Sequence, residues 1–269
     1  MKKHIYVIVN FAWLMLIIIG CSKNDESSGF VNTRSMQDVI DEFAQLEFSE
    51  GINDIIIEGP FSSTVWKFRV IIPVGASELN KRPLIVCLHG GATAPGASDL
   101  HTFTGCLEVP GLIDLEPILL CPNSGGSIWY SIPEQEEKVL TLTNLVKQNL
   151  PVDLNRIAIM GYSDGGNGVW FYSQYYPEAF SAGIALSSSY NPVRPDNVPV
   201  MISIPMYVIH GENDQLFPLE LTQSYIDASL EAGTDITFVI AEGLEHYNSC
   251  TYVPYLLDAA TWLQNDVWD

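Results

Sequence analysis

The stretch Arg156-Ile157-Ala158-Ile159-Met160-Gly161-Tyr162-Ser163-Asp164-Gly165-Gly166 decides how this chain folds. Residues 157–160 are a short apolar run, which predicts a buried strand, and residues 166–175 have helical spacing. Between them lies a Gly-x-Ser-x-Gly pattern. We therefore expect a sharp turn from strand to helix, whose glycines let neighbouring backbone approach while Ser163 projects above the sheet. The alternative is a glycine-rich turn that merely joins the two elements.

Short apolar runs alternate with longer helical patterns on both sides of this stretch. Runs that are apolar on both faces and are separated by amphipathic helices predict an α/β fold, with a mostly parallel central sheet and helices on both faces. A capped helix after Ser35 and two early strands precede the alternation. The early strands are predicted at 55–58 and 64–72, and Pro73 stops the second. The predicted later strands are 84–88, 118–121, 156–160, 182–186, 206–209 and 236–240, and the helices are 134–149, 166–175, 219–232 and 252–264.

The first twenty residues differ from the rest of the chain. Lys2 and Lys3 precede an apolar run that ends at Gly20, which is typical of a cleaved targeting segment. The polar residues that follow are too poor in apolar side chains to form a core. We expect a signal peptide at 1–20, a flexible tether at 21–33 and one catalytic domain at 34–269, since 269 residues suffice for a single large core.

The sequence Ile18-Ile19-Gly20-Cys21 resembles the lipobox of bacterial lipoproteins, in which cleavage before the cysteine is accompanied by acylation. This resemblance predicts Cys21 as the lipidated N-terminus and places the protein in the bacterial cell envelope. The anchor would lie in the outer membrane, on its periplasmic or outer side. Because two or more acyl chains anchor a protein firmly, the membrane is an expected partner. A spanning helix is the other interpretation, although the apolar run is short for one.

Charge and cysteine content exclude several classes of function. The formal net charge is −20, so nucleic acid and anionic membrane surfaces are unsuitable partners. Four cysteines besides Cys21 allow three disulfide pairings in an oxidising compartment, while buried free thiols are an equally good interpretation. No Cys-x-x-Cys or clustered His/Cys spacing predicts a metal site. The four are Cys87, Cys106, Cys121 and Cys250.

A serine hydroxyl needs a base to become a nucleophile, and only five histidines are present. Where the serine lies on a strand-to-helix turn, the order along the chain is serine, acid, histidine. His246 follows the last predicted strand and alone occupies this place. Asp214, in a turn after a strand, is the predicted acid that orients the imidazole. Glu212 and Asp196 are the rival carboxylates.

The segment His89-Gly90-Gly91-Ala92 follows a predicted strand and lacks large side chains, so its backbone can approach a substrate carbonyl. We expect an oxyanion hole formed by the N–H of Gly91 or Ala92 with that of Asp164. His89 itself is expected to brace the loop. Aromatic side chains predicted at the same edge of the sheet suit an aryl or sugar-bearing ester, or serve only in packing. These are Trp129, Tyr130, Tyr190, Phe217 and Tyr247.

Taken in order, these motifs resemble the phospholipase/carboxylesterase branch of the α/β-hydrolases, and they are similar to feruloyl esterases and dienelactone-hydrolase relatives. The resemblance covers Leu84 to the C-terminus and implies hydrolysis of esters by a Ser163, Asp214, His246 triad without a cofactor. Such carboxylesterases commonly have Gln where this chain has Asp164. Either this carboxylate points away from the pocket, or the substrate preference differs. The motifs are His89-Gly90-Gly91, Cys121-Pro122-Asn123 with Trp129-Tyr130, residues 156–166, His210-Gly211 with Asp214 and Pro218, and Gly243 with His246.

Three functions remain open from the sequence. The first is a serine hydrolase that cleaves small-molecule or oligosaccharide esters through an acyl-enzyme, including acyl or aryl esters of carbohydrate. The second is a peptidase of the prolyl-oligopeptidase kind, although about 60 residues before the first core strand cannot hold the propeller usual in that family. The third is a surface lipoprotein that binds a ligand without turnover, since fold alone does not imply catalysis.

Overall fold

An eight-stranded mixed sheet forms the centre of the molecule in the computed structural model, which describes residues 34–60, 64–94 and 97–269. The strand order is β1-β2-β4-β3-β5-β6-β7-β8. The two pairings that involve β2 are antiparallel and all the others are parallel. The strands are β1 (Gly51–Glu58), β2 (Val65–Ile72), β3 (Arg82–Leu88), β4 (Ile118–Pro122), β5 (Val152–Tyr162), β6 (Ala182–Leu186), β7 (Met206–Gly211) and β8 (Ile236–Ala241).

Helices cover both faces of this sheet. Along β3, Leu84, Val86 and Leu88 join one hydrophobic cluster, while Ile85 and Cys87 join the other, because successive side chains point to opposite faces. The predicted α/β class, with a mostly parallel sheet between helices, is confirmed. The helices are α1 (Met36–Phe43), α2 (Glu108–Gly111), α3 (Pro133–Asn149), α4 (Asp164–Tyr175), α5 (Leu219–Glu231) and α6 (Val253–Trp262).

Element boundaries differ from the prediction where polar residues take part in pairing. Strand β1 begins at Gly51, four residues before the predicted apolar run, because Asn53 and Asp54 pair with β2 in the same ladder. Strand β5 begins at Val152 for a similar reason, since Arg82 of β3 pairs with it there. Continuous apolar runs therefore miss the paired residues of a strand that lie among polar neighbours.

The predictions for the N-terminal region fall on residues that the structure does not describe. The signal peptide at 1–20, the tether at 21–33 and the lipidation site Cys21 all lie there. Within residues 34–60, 64–94 and 97–269, every helix is too short or too polar to cross a bilayer.

Of the four cysteines other than Cys21, two form a disulfide and two are buried free thiols, so both interpretations of the sequence apply. Cys106 and Cys250 form a disulfide, with Cα atoms 4.9 Å apart. Cys87 and Cys121 are free thiols buried on the neighbouring strands β3 and β4, and burial raises the pKa of the Cys87 thiol. The disulfide joins the segment before α2 to the segment before α6, across 144 residues of chain.

Loss of this disulfide should lower stability, because a cross-link over a long loop restricts the unfolded chain. We expect the double variant Cys106→Ser/Cys250→Ser to lose about 2 to 5 kcal/mol of unfolding free energy, measured by urea denaturation. A reductant should lower the wild-type midpoint toward that of the variant and leave the variant unchanged. Equal midpoints for the oxidised wild type and the variant would contradict a stabilising role.

Candidate active site

Ser163 lies on the turn between β5 and α4, as the Gly-x-Ser-x-Gly pattern predicted. Its φ of 57° is rare for a residue with a side chain. The turn leaves no room for side chains at its glycines. A Cβ on Gly165 would lie 1.8 Å from the carbonyl oxygen of Leu88, and one on Gly161 would lie 2.4 Å from the Gly165 carbonyl. Backbone contacts on both sides therefore fix the position of the serine.

The structure brings Ser163, His246 and Asp214 together in one line of hydrogen bonds. Ser163 Oγ lies 2.9 Å from His246 Nε2, and His246 Nδ1 lies 2.7 Å from Asp214 Oδ2. All three side chains are buried. Since a carboxylate only accepts, Nδ1 carries the proton and Nε2 is left to accept from the serine hydroxyl. This is the tautomer that a general base for Ser163 requires.

Asp214 is held in place by the backbone of its own turn. Its Oδ1 accepts hydrogen bonds from the N–H groups of Leu216 and Phe217, at 3.0 and 2.8 Å. The rival carboxylates lie elsewhere. Glu212 accepts the N–H of Gly243, and Asp196 is exposed and pairs with Arg194. Asp214 is therefore the carboxylate that orients His246.

The loop that carries His246 is anchored through its backbone. The Tyr162 hydroxyl, at the end of β5, donates to the carbonyl of His246, and Tyr252 donates to the carbonyl of Glu245 at 3.2 Å. Because Tyr162 is the neighbour of Ser163 in sequence, one strand end holds both the serine and the histidine loop. Burial raises the pKa of Tyr162, so this donor keeps its proton.

The loop after β3 lies beside Ser163, and the structure decides between its two candidate oxyanion donors, Gly91 and Ala92. The N–H of Ala92 donates to Asp164 Oδ2 at 2.9 Å, so it is occupied within the protein. The prediction of Ala92 as an oxyanion donor is therefore wrong, and its N–H instead anchors the loop to Asp164. Gly91, with a φ of 61°, and the backbone N–H of Asp164 remain. The second lies at the first position of α4, where an N–H has no partner within the helix.

The hydrogen bond from the Ala92 N–H explains why an aspartate can occupy position 164, where similar carboxylesterases commonly have Gln. Its carboxylate neither faces away from the site nor stands unpaired at the oxyanion position. It lies in the pocket lining and holds the oxyanion loop through Ala92. The negative charge is also placed at a helix N-terminus, where it is favourable.

His89 braces the oxyanion loop from behind, as expected from the sequence. Its Nδ1 lies 2.9 Å from the Gly90 carbonyl, and Nε2 lies 3.1 Å from the N–H of Ser124. These partners require a neutral ring with the proton on Nδ1. Burial lowers the pKa of His89 to about 4, which keeps the ring neutral near pH 7. The Ser124 hydroxyl also donates to the Ala92 carbonyl at 2.8 Å.

Sequence reasoning missed several of the side chains that brace the site. Lys138 of α3 is buried and donates to the Asn123 carbonyl at 2.5 Å, and burial lowers its pKa to about 7. His210 Nε2 donates to the Phe217 carbonyl at 2.8 Å and so supports the turn of Asp214. The position of His210 at a strand end was visible in the sequence. No pattern pointed to Lys138, because its partner is a backbone oxygen.

A cavity of about 530 Å³ opens above Ser163 and His246. Phe217 and Tyr247 line it, as predicted, and both rings contact His246 edge-on. The other predicted substrate contacts do not line this pocket. Trp129 is fully buried and its indole N–H donates to the His89 carbonyl at 2.8 Å, while Tyr130 packs against Tyr190. Trp129 therefore supports the loop of His89, and Tyr130 serves in packing.

Residues 34–60, 64–94 and 97–269 contain no group of three or more His, Cys, Asp or Glu side chains arranged to hold a metal ion.

Residues 122–258 match the phospholipase/carboxylesterase family. This region contains the three hydrogen-bonded residues Ser163, Asp214 and His246. No curated protein has significant sequence similarity to the chain.

Solved structures of esterases are similar in fold. A thermostable esterase superimposes with a TM-score of 0.65 at 21% identity, over 79% of this chain and 62% of that one. An esterase from Pyrobaculum calidifontis gives 0.64 at 16% identity, over 86% and 90%. An S-formylglutathione hydrolase from Staphylococcus aureus gives 0.62 at 16% identity, over 82% and 99%. This chain thus spans less than two thirds of the thermostable esterase, and the likenesses establish the α/β-hydrolase fold.

Replacement of Asp164 tests its role as the anchor of the oxyanion loop. Asp164→Ala should lower the free energy of unfolding by about 1 to 3 kcal/mol, because the buried N–H of Ala92 would lose its acceptor. Asp164→Asn keeps an acceptor oxygen and should lose less, at most about 1 kcal/mol from the helix N-terminus. Urea denaturation of the three proteins measures this order. Equal losses in the two variants would contradict the assigned hydrogen bond.

The neutral state of His89 predicts a pH dependence of stability. Between pH 6.5 and about 4 the unfolded state binds the proton and the folded state does not, so stability falls as the pH falls through this window. The wild type should therefore lose up to about 3 kcal/mol relative to His89→Gln. Urea denaturation of both proteins at several pH values gives the difference, from which other titrating groups cancel. A difference that is constant from pH 7 to pH 4 would contradict a buried neutral ring.

Proposed function

The chain belongs to the phospholipase/carboxylesterase family of α/β-hydrolases, and from this premise we propose that it hydrolyses carboxylic esters through an acyl-enzyme on Ser163. The observation that carries the proposal is the line of hydrogen bonds from Ser163 through His246 to Asp214, at 2.9 and 2.7 Å. A nucleophile, a base and a group that orients the base are the three parts that such catalysis needs.

In the proposed reaction, Ser163 Oγ attacks the carbonyl carbon of the ester and His246 Nε2 takes the hydroxyl proton. The tetrahedral oxyanion accepts hydrogen bonds from the N–H groups of Gly91 and Asp164. His246 then gives its proton to the leaving alcohol, and the acyl group stays on Ser163. Water is activated by the same imidazole, attacks the acyl-enzyme and releases the acid. Asp214 stabilises the imidazolium in both halves of the reaction.

For the substrate, the proposal is an acyl or aryl ester of a carbohydrate, or a fragment of such a polymer. Two aromatic rings, Phe217 and Tyr247, stand at the pocket beside His246, and Tyr247 is largely exposed. Aromatic rings at a pocket mouth offer flat apolar surface to an aryl group or to a sugar face. The cavity volume lies within the range of small-molecule sites.

For location, the proposal is the bacterial cell envelope, with a lipid anchor on Cys21. The support is the sequence from Lys2 to Cys21 together with the disulfide between Cys106 and Cys250, since disulfides persist mainly in oxidising compartments. Metabolic labelling with a fatty-acid analogue, compared between the wild type and Cys21→Ala, would test the anchor directly.

The proposed triad predicts a large and specific loss of activity on mutation. Ser163→Ala should abolish labelling by a fluorophosphonate probe, because the probe bonds to the serine oxygen. Asp214→Asn should lower kcat by about 10⁴-fold, because the amide no longer fixes the imidazole tautomer. Asp196→Asn, an exposed rival carboxylate, is the matched control and should retain activity. The assay is hydrolysis of aryl and alkyl esters, with aminoacyl amides as the comparison.

Three outcomes would overturn this function. Ester hydrolysis by Ser163→Ala at the wild-type rate would remove the nucleophile. Absence of any probe labelling in the wild type would favour a protein that binds a ligand without turnover. Faster cleavage of amides than of matched esters would favour a peptidase instead.

A further inference from the structure

Phe217 and Tyr247 lie on the side of the cavity that holds the base. Their ring centroids are 5.1 and 5.3 Å from that of His246, and both side chains line the cavity. Phe217 belongs to the turn of Asp214, and Tyr247 directly follows His246. Tyr247 is 82% exposed, so a ligand that enters the cavity can reach its ring. Two aromatic rings therefore adjoin the imidazole at the place where substrate binds.

The side of the cavity next to the oxyanion loop is formed by another segment. Leu100 packs against this loop, since a Cβ on Gly91 would lie 3.6 Å from its Cδ1. The N–H of Phe103 donates to the Leu100 carbonyl at 3.1 Å, so Phe103 belongs to the same segment. Phe103 also lines the cavity and is 68% exposed. Among the ring contacts of the described residues, His246 meets Phe217 and Tyr247 but not Phe103.

The proposed reaction determines which half of an ester meets the two rings at His246. The imidazole gives its proton to the leaving oxygen, so this oxygen must lie within hydrogen-bond reach of His246 Nε2. The carbonyl oxygen is directed instead to the N–H groups of Gly91 and Asp164. The alcohol half therefore leaves the reacting carbon beside the imidazole, where Phe217 and Tyr247 stand.

We propose that Tyr247, together with Phe217, determines specificity for the leaving alcohol and selects esters whose alcohol half carries a ring with an apolar face. The inference rests on the proposed ester hydrolysis at Ser163. It assigns the aromatic recognition of this pocket to the alcohol half, where an aromatic alcohol and a sugar offer the same flat surface to a protein ring. Tyr247 contributes most, because the more exposed ring has more apolar surface for a ligand to cover.

A series of acetate esters tests the inference, because the acyl half is the same throughout. Phenylethyl acetate carries an aromatic ring, an acetylated methyl glucoside carries a sugar ring, and hexyl acetate carries a flexible chain. Ethyl acetate is the reference with a small alcohol, and ethyl phenylpropanoate places the aromatic ring in the acyl half. The quantity measured is the factor by which a variant lowers kcat/KM for each ester, divided by its factor for ethyl acetate. The intrinsic reactivity of each ester cancels in this relative loss.

Tyr247→Ala should give a relative loss of about three- to tenfold for one or both ring-bearing acetates, as expected for one lost ring contact. A loss confined to phenylethyl acetate identifies an aromatic alcohol, and a loss confined to the glucoside identifies a sugar. Tyr247→Phe keeps the ring and should show little relative loss. Phe217→Leu should show a smaller loss than Tyr247→Ala. Phe103→Ala is the matched control, because it removes an exposed ring from the other side of the cavity, and its relative loss for these acetates should be close to one.

Several outcomes would overturn the inference while ester hydrolysis at Ser163 stands. Equal losses of Tyr247→Ala for all esters would mean that the ring only supports His246. An equally large relative loss for hexyl acetate would remove the preference for a ring. A relative loss for ethyl phenylpropanoate alone would place the acyl half on Tyr247, and the same alcohol-selective loss in Phe103→Ala would remove the assignment of sides. If the wild type cleaves no ester, the proposed function fails, and this inference fails with it.

Discussion

The close approach of backbone at the end of β5 is the constraint on which the rest of the site depends. Gly165 packs against the carbonyl of Leu88 and Gly161 against Gly165, with no space for a Cβ at either position. This contact forces Ser163 into a conformation with positive φ and brings the end of β3 beside the start of α4. The nucleophile and the oxyanion loop are neighbours because two strands meet there through main-chain atoms alone.

Most polar side chains around the pocket act on backbone groups. Asp214 accepts two N–H groups of its own turn, Asp164 accepts that of Ala92, and His89 bridges the oxyanion loop to Ser124. Each of these groups is therefore fixed before a ligand arrives, which is what electrostatic stabilisation of a transition state requires.

The sequence predicted those parts of the molecule that local rules determine. Apolar runs located the core strands, and the glycines around Ser163 predicted the turn that the structure confirms. His246 and Asp214 could be chosen by order along the chain, and the structure brings both to Ser163. The direction of a side chain was harder to predict. Trp129 was predicted at the edge of the sheet that carries the pocket, yet its side chain is buried and its indole N–H donates to the His89 carbonyl.

Other features depend on contacts between distant segments, which no local pattern encodes. The occupied N–H of Ala92 joins residues 72 positions apart, and the pairing of Cys106 with Cys250 was one of several that the cysteine count allowed. The role of Asp164 likewise required the structure. From the sequence, its carboxylate would repel a negative oxyanion. In the fold, the carboxylate accepts a hydrogen bond from the N–H of Ala92 in the oxyanion loop.

The span of the Cys106–Cys250 link also bears on the order in which the protein is made. A chain is synthesised from its N-terminus, so Cys106 waits for 144 further residues before its partner exists. His246 comes late for the same reason. The pocket wall is consequently completed late in synthesis, followed only by α6 and the residues after it. A chain that stops short of residue 250 lacks both the disulfide and α6, whose Leu256 and Ala259 are buried in the core on one face of the sheet. Biosynthesis thus ties the finished site to full-length, oxidised protein.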